Sequence, residues 1–226
     1  MQDFNTIKKV ISKISSVEEI KDHICFFGGS MPYIYYNKES GREHSDIDIL
    51  VDKEYLDTIR DLLKEHNLYH ENLDSVNLDL GMDYGLKACI DGVYVEFEPM
   101  SIENGIYKRS SFSIDGKKVG TEEIPYTNIE DLIIPINIDG NTTYCESMEL
   151  TKARKEMYGR EKDLRDAEFI SKQEFDNDKY VRAKKALESS KSFVVSYDEI
   201  RKHNDLKEML DDSNENINNE DKNKTI

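Results

Sequence analysis

His44-Ser45-Asp46-Ile47-Asp48-Ile49-Leu50-Val51 alternates carboxylates with apolar side chains and then closes in an apolar run. Along an extended strand, residues i and i+2 share a face. Asp46 and Asp48 are therefore expected side by side, with Ile47, Ile49 and Val51 turned to a core. Adjacent carboxylates repel unless a cation lies between them. An oxygen-only donor set of that charge suits Mg²⁺ or Mn²⁺.

Upstream, Ile24-Cys25-Phe26-Phe27 reads as a short buried strand that ends in Gly28-Gly29-Ser30. Ser30 is placed to cap a following helix whose first turn tolerates Pro32. Glycines let a backbone come close to a ligand, and free N–H groups at a helix start favour phosphate. Downstream, Asp91-Gly92 is a two-residue hairpin signal leading into Val93-Tyr94-Val95-Glu96-Phe97-Glu98. Glu96 and Glu98 share a face there, and either supplies a third carboxylate. Three carboxylates around one or two Mg²⁺ ions are the usual apparatus of in-line phosphoryl or nucleotidyl transfer.

The remaining pattern is that of an α+β chain. Phe4, Ile7, Val10, Ile11 and Ile14 recur at helical spacing within residues 1–22, and Ser16-Val17-Glu18-Glu19 matches a capping box for a short second helix. Asn37 to Gly41 is a polar loop. Asp52 is placed to cap a helix carrying Leu56, Ile59, Leu62 and Leu63 on one face. Strands are expected near 68–72, 75–80 and 84–90, with a second hairpin at Asp115-Gly116 between 112–114 and 117–119. Residues 1–125 thus read as a mixed sheet with flanking helices. Beyond it, 128–133 is expected as a short helix and Asp139-Gly140 as a turn in an irregular segment. Helices follow at about 146–158, 160–172, 176–189 and 196–211. The division is a catalytic domain at 1–125, a helical region at 126–210 and a disordered acidic tail at 211–226, where almost nothing is apolar.

Composition narrows the function. The 226 residues carry a formal charge of −16, which argues against gripping nucleic acid through its backbone, a mode that needs clustered Lys and Arg. A metal-bound triphosphate needs only a local positive site. No apolar run approaches membrane-spanning length, and Met1-Gln2-Asp3-Phe4-Asn5 lacks the start of a signal peptide. Cys25, Cys89 and Cys145 form neither a disulfide framework nor a CxxC site, which fits a reducing cytoplasm.

Gly28-Gly29-Ser30, then Asp46-x-Asp48 in an apolar strand, then an acidic residue on a later strand, resembles the pattern of the polymerase-β-like nucleotidyltransferases. Arg42-Glu43-His44-Ser45-Asp46-Ile47-Asp48 is similar to the aminoglycoside and lincosamide nucleotidyltransferases within that group. Arg160-Glu161-Lys162-Asp163-Leu164-Arg165-Asp166 resembles the R-x-KD-x-x-D helix of bacterial nucleotidyltransferase-like proteins, which include abortive-infection toxins. The resemblance covers roughly residues 20–170.

It implies that Asp46, Asp48 and Glu96 hold Mg²⁺ and carry the chemistry. Glu96 is preferred to Glu98 because it stands four residues after Gly92, as in the family's version of that strand. Gly28, Gly29 and Ser30 would meet the phosphates of an NTP, most often ATP, while Lys152 matches a helix lysine that contacts phosphate. Arg160 and Lys162 are carried over as nucleotide contacts, although the same spacing also makes helix-surface ion pairs. His44 receives no chemistry, Arg42 reads as a surface arginine, and Tyr33, Tyr35 and Tyr36 read as packing and surface residues. The expected activity is transfer of a nucleoside monophosphate to an acceptor hydroxyl, on a small molecule such as an antibiotic. The alternatives are a toxin-type enzyme modifying tRNA or protein and a catalytically silent nucleotide-binding module. The acceptor, the base and the oligomeric state stay open.

Overall fold

The computed structural model describes residues 2–68, 86–112 and 118–196. The strands expected at 68–72 and 75–80, the Asp115-Gly116 turn, the helix at 196–211 and the acidic tail lie wholly or almost wholly outside these residues.

Helix α1 (Phe4–Ser15) starts where the Asp3 side chain accepts the backbone N–H of Thr6 at 3.0 Å. Its apolar stripe, Ile7, Val10, Ile11 and Ile14, is buried. The capping box at Ser16 builds only a single turn, with the N–H groups of Ile20 and Lys21 bonding back to the Val17 carbonyl, and no second helix follows. Strand β1 (Ile24–Phe27) then leads through the glycines into the short α2 (Met31–Tyr35). Strand β2 (Asp46–Asp52) carries the paired aspartates and is followed by α3 (Leu56–Glu65). Asp52 does not cap that helix. It bonds instead to the His23 ring at 2.9 Å.

The next strands are β3 (Leu86–Ile90), β4 (Val93–Glu103), β5 (Ile106–Phe112) and β6 (Lys118–Pro125). Asp91-Gly92 and Asn104-Gly105 both turn with positive φ at the two central residues, +51° and +81° in one, +52° and +75° in the other. That is the geometry whose twist matches paired strands.

The segment expected to be irregular is a third such hairpin. Strands β7 (Ile133–Ile138) and β8 (Asn141–Glu146) are joined by Asp139-Gly140 at φ +51° and +94°. Pro135 spoils the strand signature of β7, but β7 ends the sheet, where a missing N–H costs no ladder bond. Residues 128–133 hold one 3₁₀ turn, Ile129–Asp131, rather than an α-helix. Three helices then appear close to their expected bounds: α4 (Met148–Tyr158), α5 (Glu161–Ser171) and α6 (Asn177–Glu188). A final strand, β9 (Lys191–Ser196), was not expected. The region read as helical thus also supplies three strands.

Among the described residues the nine strands form one mixed sheet in the order β7-β8-β1-β2-β4-β5-β6-β9, with β3 beside the first half of β4. β1 runs parallel to β8 and β2 parallel to β4, while the other pairs are antiparallel. Period-two alternation sorts side chains between two cores. Ile47, Ile49 and Val51 pack with α1 and α3 on one face, and Cys25, Phe27 and Leu50 pack with Leu150 and Ala153 of α4 and Ala183 and Leu187 of α6 on the other. Asp46 and Asp48 share the second face with Leu50, so they look toward the C-terminal helices. No helix among the described residues is long and apolar enough to cross a membrane.

Candidate active site

The parallel ladder between β2 and β4 aligns Asp46 with Tyr94, Asp48 with Glu96 and Leu50 with Glu98. Asp48 and Glu96 therefore stand as lateral neighbours, and Asp46 lies one pleat before them on the same face. They form the floor of a cleft of about 380 Å³ whose lining includes Gly28, Gly29, Arg42, Lys155, Arg160 and Lys162. Burial, and then the negative charges of Asp46, Glu98 and Glu96, push the Asp48 carboxyl well above its ordinary range. A hard cation relieves that crowding, and the donors are all carboxylate oxygens, so the chemistry of the set fits Mg²⁺ or Mn²⁺. Among the described residues, no three His, Cys, Asp or Glu side chains converge as ligands of one ion. Glu96 is held by Lys87 at 2.8 Å.

Glu98 lies one pleat deeper than Glu96 and is buried. Burial raises its carboxyl to about 7, against the pull of Arg109. Arg109 spans Glu98 at 3.9 Å and Glu146 at 3.3 Å, and stacks over the Phe27 ring at 4.5 Å. Glu146 also accepts from Tyr107 and from Arg154. The cleft floor thus rests on a buried layer of paired charges.

The glycines act through their missing side chains. Gly28 has φ +88°, and a Cβ there would lie 2.1 Å from Asp48 Oδ2. A Cβ on Gly29 would lie 2.6 Å from Arg42 Nη2. Ser30 is buried and its hydroxyl caps nothing, although its carbonyl accepts from the N–H groups of Tyr33 and Ile34. Lys152 lies away from the cleft, paired with Glu156 and seated 4.0 Å over the Tyr180 ring of α6.

The opposite wall comes from α4 and α5. Thr151, Arg154, Lys155 and Tyr158, at i, i+3, i+4 and i+7, line the cleft from one face of α4. Gly159, at φ +66°, ends that helix and hands the chain to Arg160. Arg160 donates to Asp163, while exposed Lys162 makes no ion pair among the described residues. Lys155 reaches both Asp163 at 3.4 Å and Asp166 at 2.8 Å.

Arg42, read as a surface residue, donates to buried Asp166 at 2.8 Å, and Tyr33 donates to the same carboxylate at 2.9 Å. His44 is buried, bonds Ser40 Oγ at 2.8 Å and is pushed down to about 4 by burial and by Arg42, which keeps it neutral. Lys155, Arg154 and Tyr158 were missed by sequence reasoning. The one available signal was Asp163 and Asp166 on a common face of α5, since two acids buried together require cations. Their spacing does not say which cations.

No protein-family model matches the chain, and no curated protein matches it in sequence. Among solved structures the chain is similar to ANT(2'')-Ia in complex with adenylyl-2''-tobramycin, with a TM-score of 0.50 and 15% identity over 81% of this chain and 98% of that one. It is also similar to the lincosamide antibiotic adenylyltransferase LnuA, lincomycin-bound, with a TM-score of 0.46 and 16% identity over 73% of this chain and 96% of that one. The first likeness, with the element order and the position of the acidic pair on β2, assigns the architecture: the chain has the polymerase-β-like nucleotidyltransferase fold.

Proposed function

We propose that the protein transfers a nucleoside monophosphate from an NTP, ATP in the first instance, to a hydroxyl of a small acceptor: the hydroxyl oxygen loses its proton and bonds the α-phosphorus, and pyrophosphate leaves. The observation that carries this reading is the opposition of three carboxylates, Asp46, Asp48 and Glu96, to the cations Lys155, Arg160 and Lys162 across one cleft. A triphosphate with its metal needs both walls.

Asp46, Asp48 and Glu96 would hold Mg²⁺, which when bound supplies the charge that neutralises phosphate oxygens and lowers the pKa of a coordinated oxygen. Lys155, Arg160 and Lys162 bind the outer phosphates. The backbone at Gly28 and Gly29 approaches them closely because nothing projects from it. The neutral His44 and the Arg42–Asp166 pair hold the loop before β2 in place. Glu96 must leave Lys87 to act, as third ligand or as acceptor of the attacking hydroxyl's proton. The cleft volume of about 380 Å³ suits a small ligand, and the −16 charge of the chain disfavours a polyanionic acceptor. The resemblance of residues 42–48 to the aminoglycoside and lincosamide nucleotidyltransferases gives those two classes of antibiotic as the first acceptors to try.

The test is incubation with ATP labelled at the α-phosphate, Mg²⁺ and a panel of acceptors. Label should pass to an acceptor in the wild type. Glu96→Gln should lower turnover by roughly 10²-fold or more, and Glu98→Gln by less than about tenfold. Equal losses in the two variants would contradict the assignment of the third carboxylate. Label on tRNA or on protein would mark a toxin-type enzyme, and no transfer to any acceptor class would mark a silent module.

A further inference from the structure

Asp166 is fully enclosed, with no exposed surface. It does not itself line the cleft. Its two oxygens receive donors from three separate elements: the Tyr33 hydroxyl of α2 at 2.9 Å, Arg42 of the loop before β2 through Nη2 at 2.8 Å and Nε at 3.4 Å, and Lys155 Nζ of α4 at 2.8 Å. Burial alone would raise its carboxyl, but the Arg42 hydrogen bonds and the Lys155 charge hold it below its ordinary value, so it is an anion. Arg42 and Lys155 both line the cleft. Arg42 also lies against the glycine turn, with Nη2 at 3.5 Å from the Gly29 carbonyl. Without Asp166 the contacts left to them are longer, Lys155 to Asp163 at 3.4 Å and Arg42 to the Glu43 and Gly29 carbonyls at 3.3 and 3.5 Å, and hold two long side chains less firmly. A charge-assisted bond to one fixed carboxylate orders them in advance.

Resting on the proposed nucleotide reading, we propose that Asp166 is a positioning residue that, from α5, sets Arg42 and Lys155 to receive the triphosphate of the nucleotide. It acts through those two cations and not on the ligand. The C-terminal helices are then part of the nucleotide site, because the shape of the glycine-turn side of the cleft depends on a side chain of α5.

Calorimetric titration of the full chain with Mg²⁺–ATP, inorganic tripolyphosphate and adenosine tests this. Asp166→Asn keeps an oxygen for Tyr33 and removes the charge. It should weaken ATP and tripolyphosphate binding by roughly ten- to a hundredfold while adenosine binding stays unchanged, since charged hydrogen bonds are of that strength. Arg42→Gln and Lys155→Met should each weaken tripolyphosphate binding. Adding Asp166→Asn to the Arg42→Gln/Lys155→Met pair should cost no further affinity. If Asp166→Asn fails to fold, the two cation variants decide: tripolyphosphate binding unchanged in both overturns the proposal. Equal weakening of adenosine and tripolyphosphate in Asp166→Asn also overturns it, because that is general loosening. Wild-type protein that binds neither ATP nor tripolyphosphate removes the nucleotide reading and this proposal together. Wild-type binding with unaffected variants removes only the positioning role.

Discussion

At Gly28 the backbone sits at φ +88° with Asp48 Oδ2 in the space a side chain would occupy. The residue is thus constrained twice, by conformation and by contact with a carboxylate of the cleft floor. Gly28→Ala should cost about 1–3 kcal/mol from the backbone alone and displace Asp48 as well. Denaturant unfolding checks the first effect and nucleotide transfer the second. Gly41 is the control: a Cβ there would meet nothing within 4 Å, and its φ is not positive. Gly41→Ala should change stability by less than about 0.5 kcal/mol. If the two alanine variants behave alike, close packing at the glycine turn is not what the position requires. At this scale the sequence was informative where chemistry needs a residue type in a local pattern. Asp46, Asp48 and Gly28 stood out only when the strand alternation, the glycine turn and the later acidic strand were taken together. Arg42 and Lys155 could not, because what makes them more than surface cations is an acid 124 residues from one and 11 from the other.

Among the elements, α4 decides most about the site. It turns Ala153 and Leu150 into the second core while Arg154 and Lys155 reach the cleft and the charges beneath it. Below the floor, burial favours a protonated Glu146, but Arg154 and Arg109 outweigh it and hold the carboxyl below its ordinary 4.5. A folded value below the unfolded one means the ionised form stabilises the fold above about pH 4.5. That contribution disappears as pH falls through the lower, folded value. Glu146→Gln should lose about 1–3 kcal/mol at neutral pH, since two buried cations lose a shared partner while Arg154 keeps Glu122 and Arg109 keeps Glu98. It should also flatten the acid side of the stability profile, read by urea unfolding across pH. A variant that keeps the wild-type acid profile would show that this network does not set it. The elements that sequence missed share one cause. In β7 the proline hid an alternating pattern, and β9 sits just beyond a helix where a short strand has little signal of its own. Each becomes a strand because a neighbouring edge offers hydrogen bonds, which a local pattern does not report.

Considered as a whole, the molecule closes its sheet with chain from both halves. β1 lies between β2 and β8, so the strand that delivers the glycine turn is paired on one side by residues beyond 140. We expect one cooperative unit in place of a catalytic domain with an appended helical region. A chain ending at Pro125 leaves β1 with an open edge and uncovers Cys25, Phe27 and Leu50. It should show no cooperative thermal transition by circular dichroism, and a sharp transition in that fragment would restore the two-part division. The same closure brings α4 and α5 over β2 and makes the acidic pair one wall of a cleft instead of an exposed strand face. On the proposed reading this pair holds a divalent ion against a nucleoside triphosphate. The most direct measurement is anomalous diffraction from crystals grown with Mn²⁺ and a non-hydrolysable ATP analogue. A manganese peak should lie at Asp46 and Asp48, with the triphosphate running toward Lys155, Arg160 and Lys162. Nucleotide bound elsewhere, or manganese absent from the two aspartates while nucleotide occupies the cleft, would contradict it.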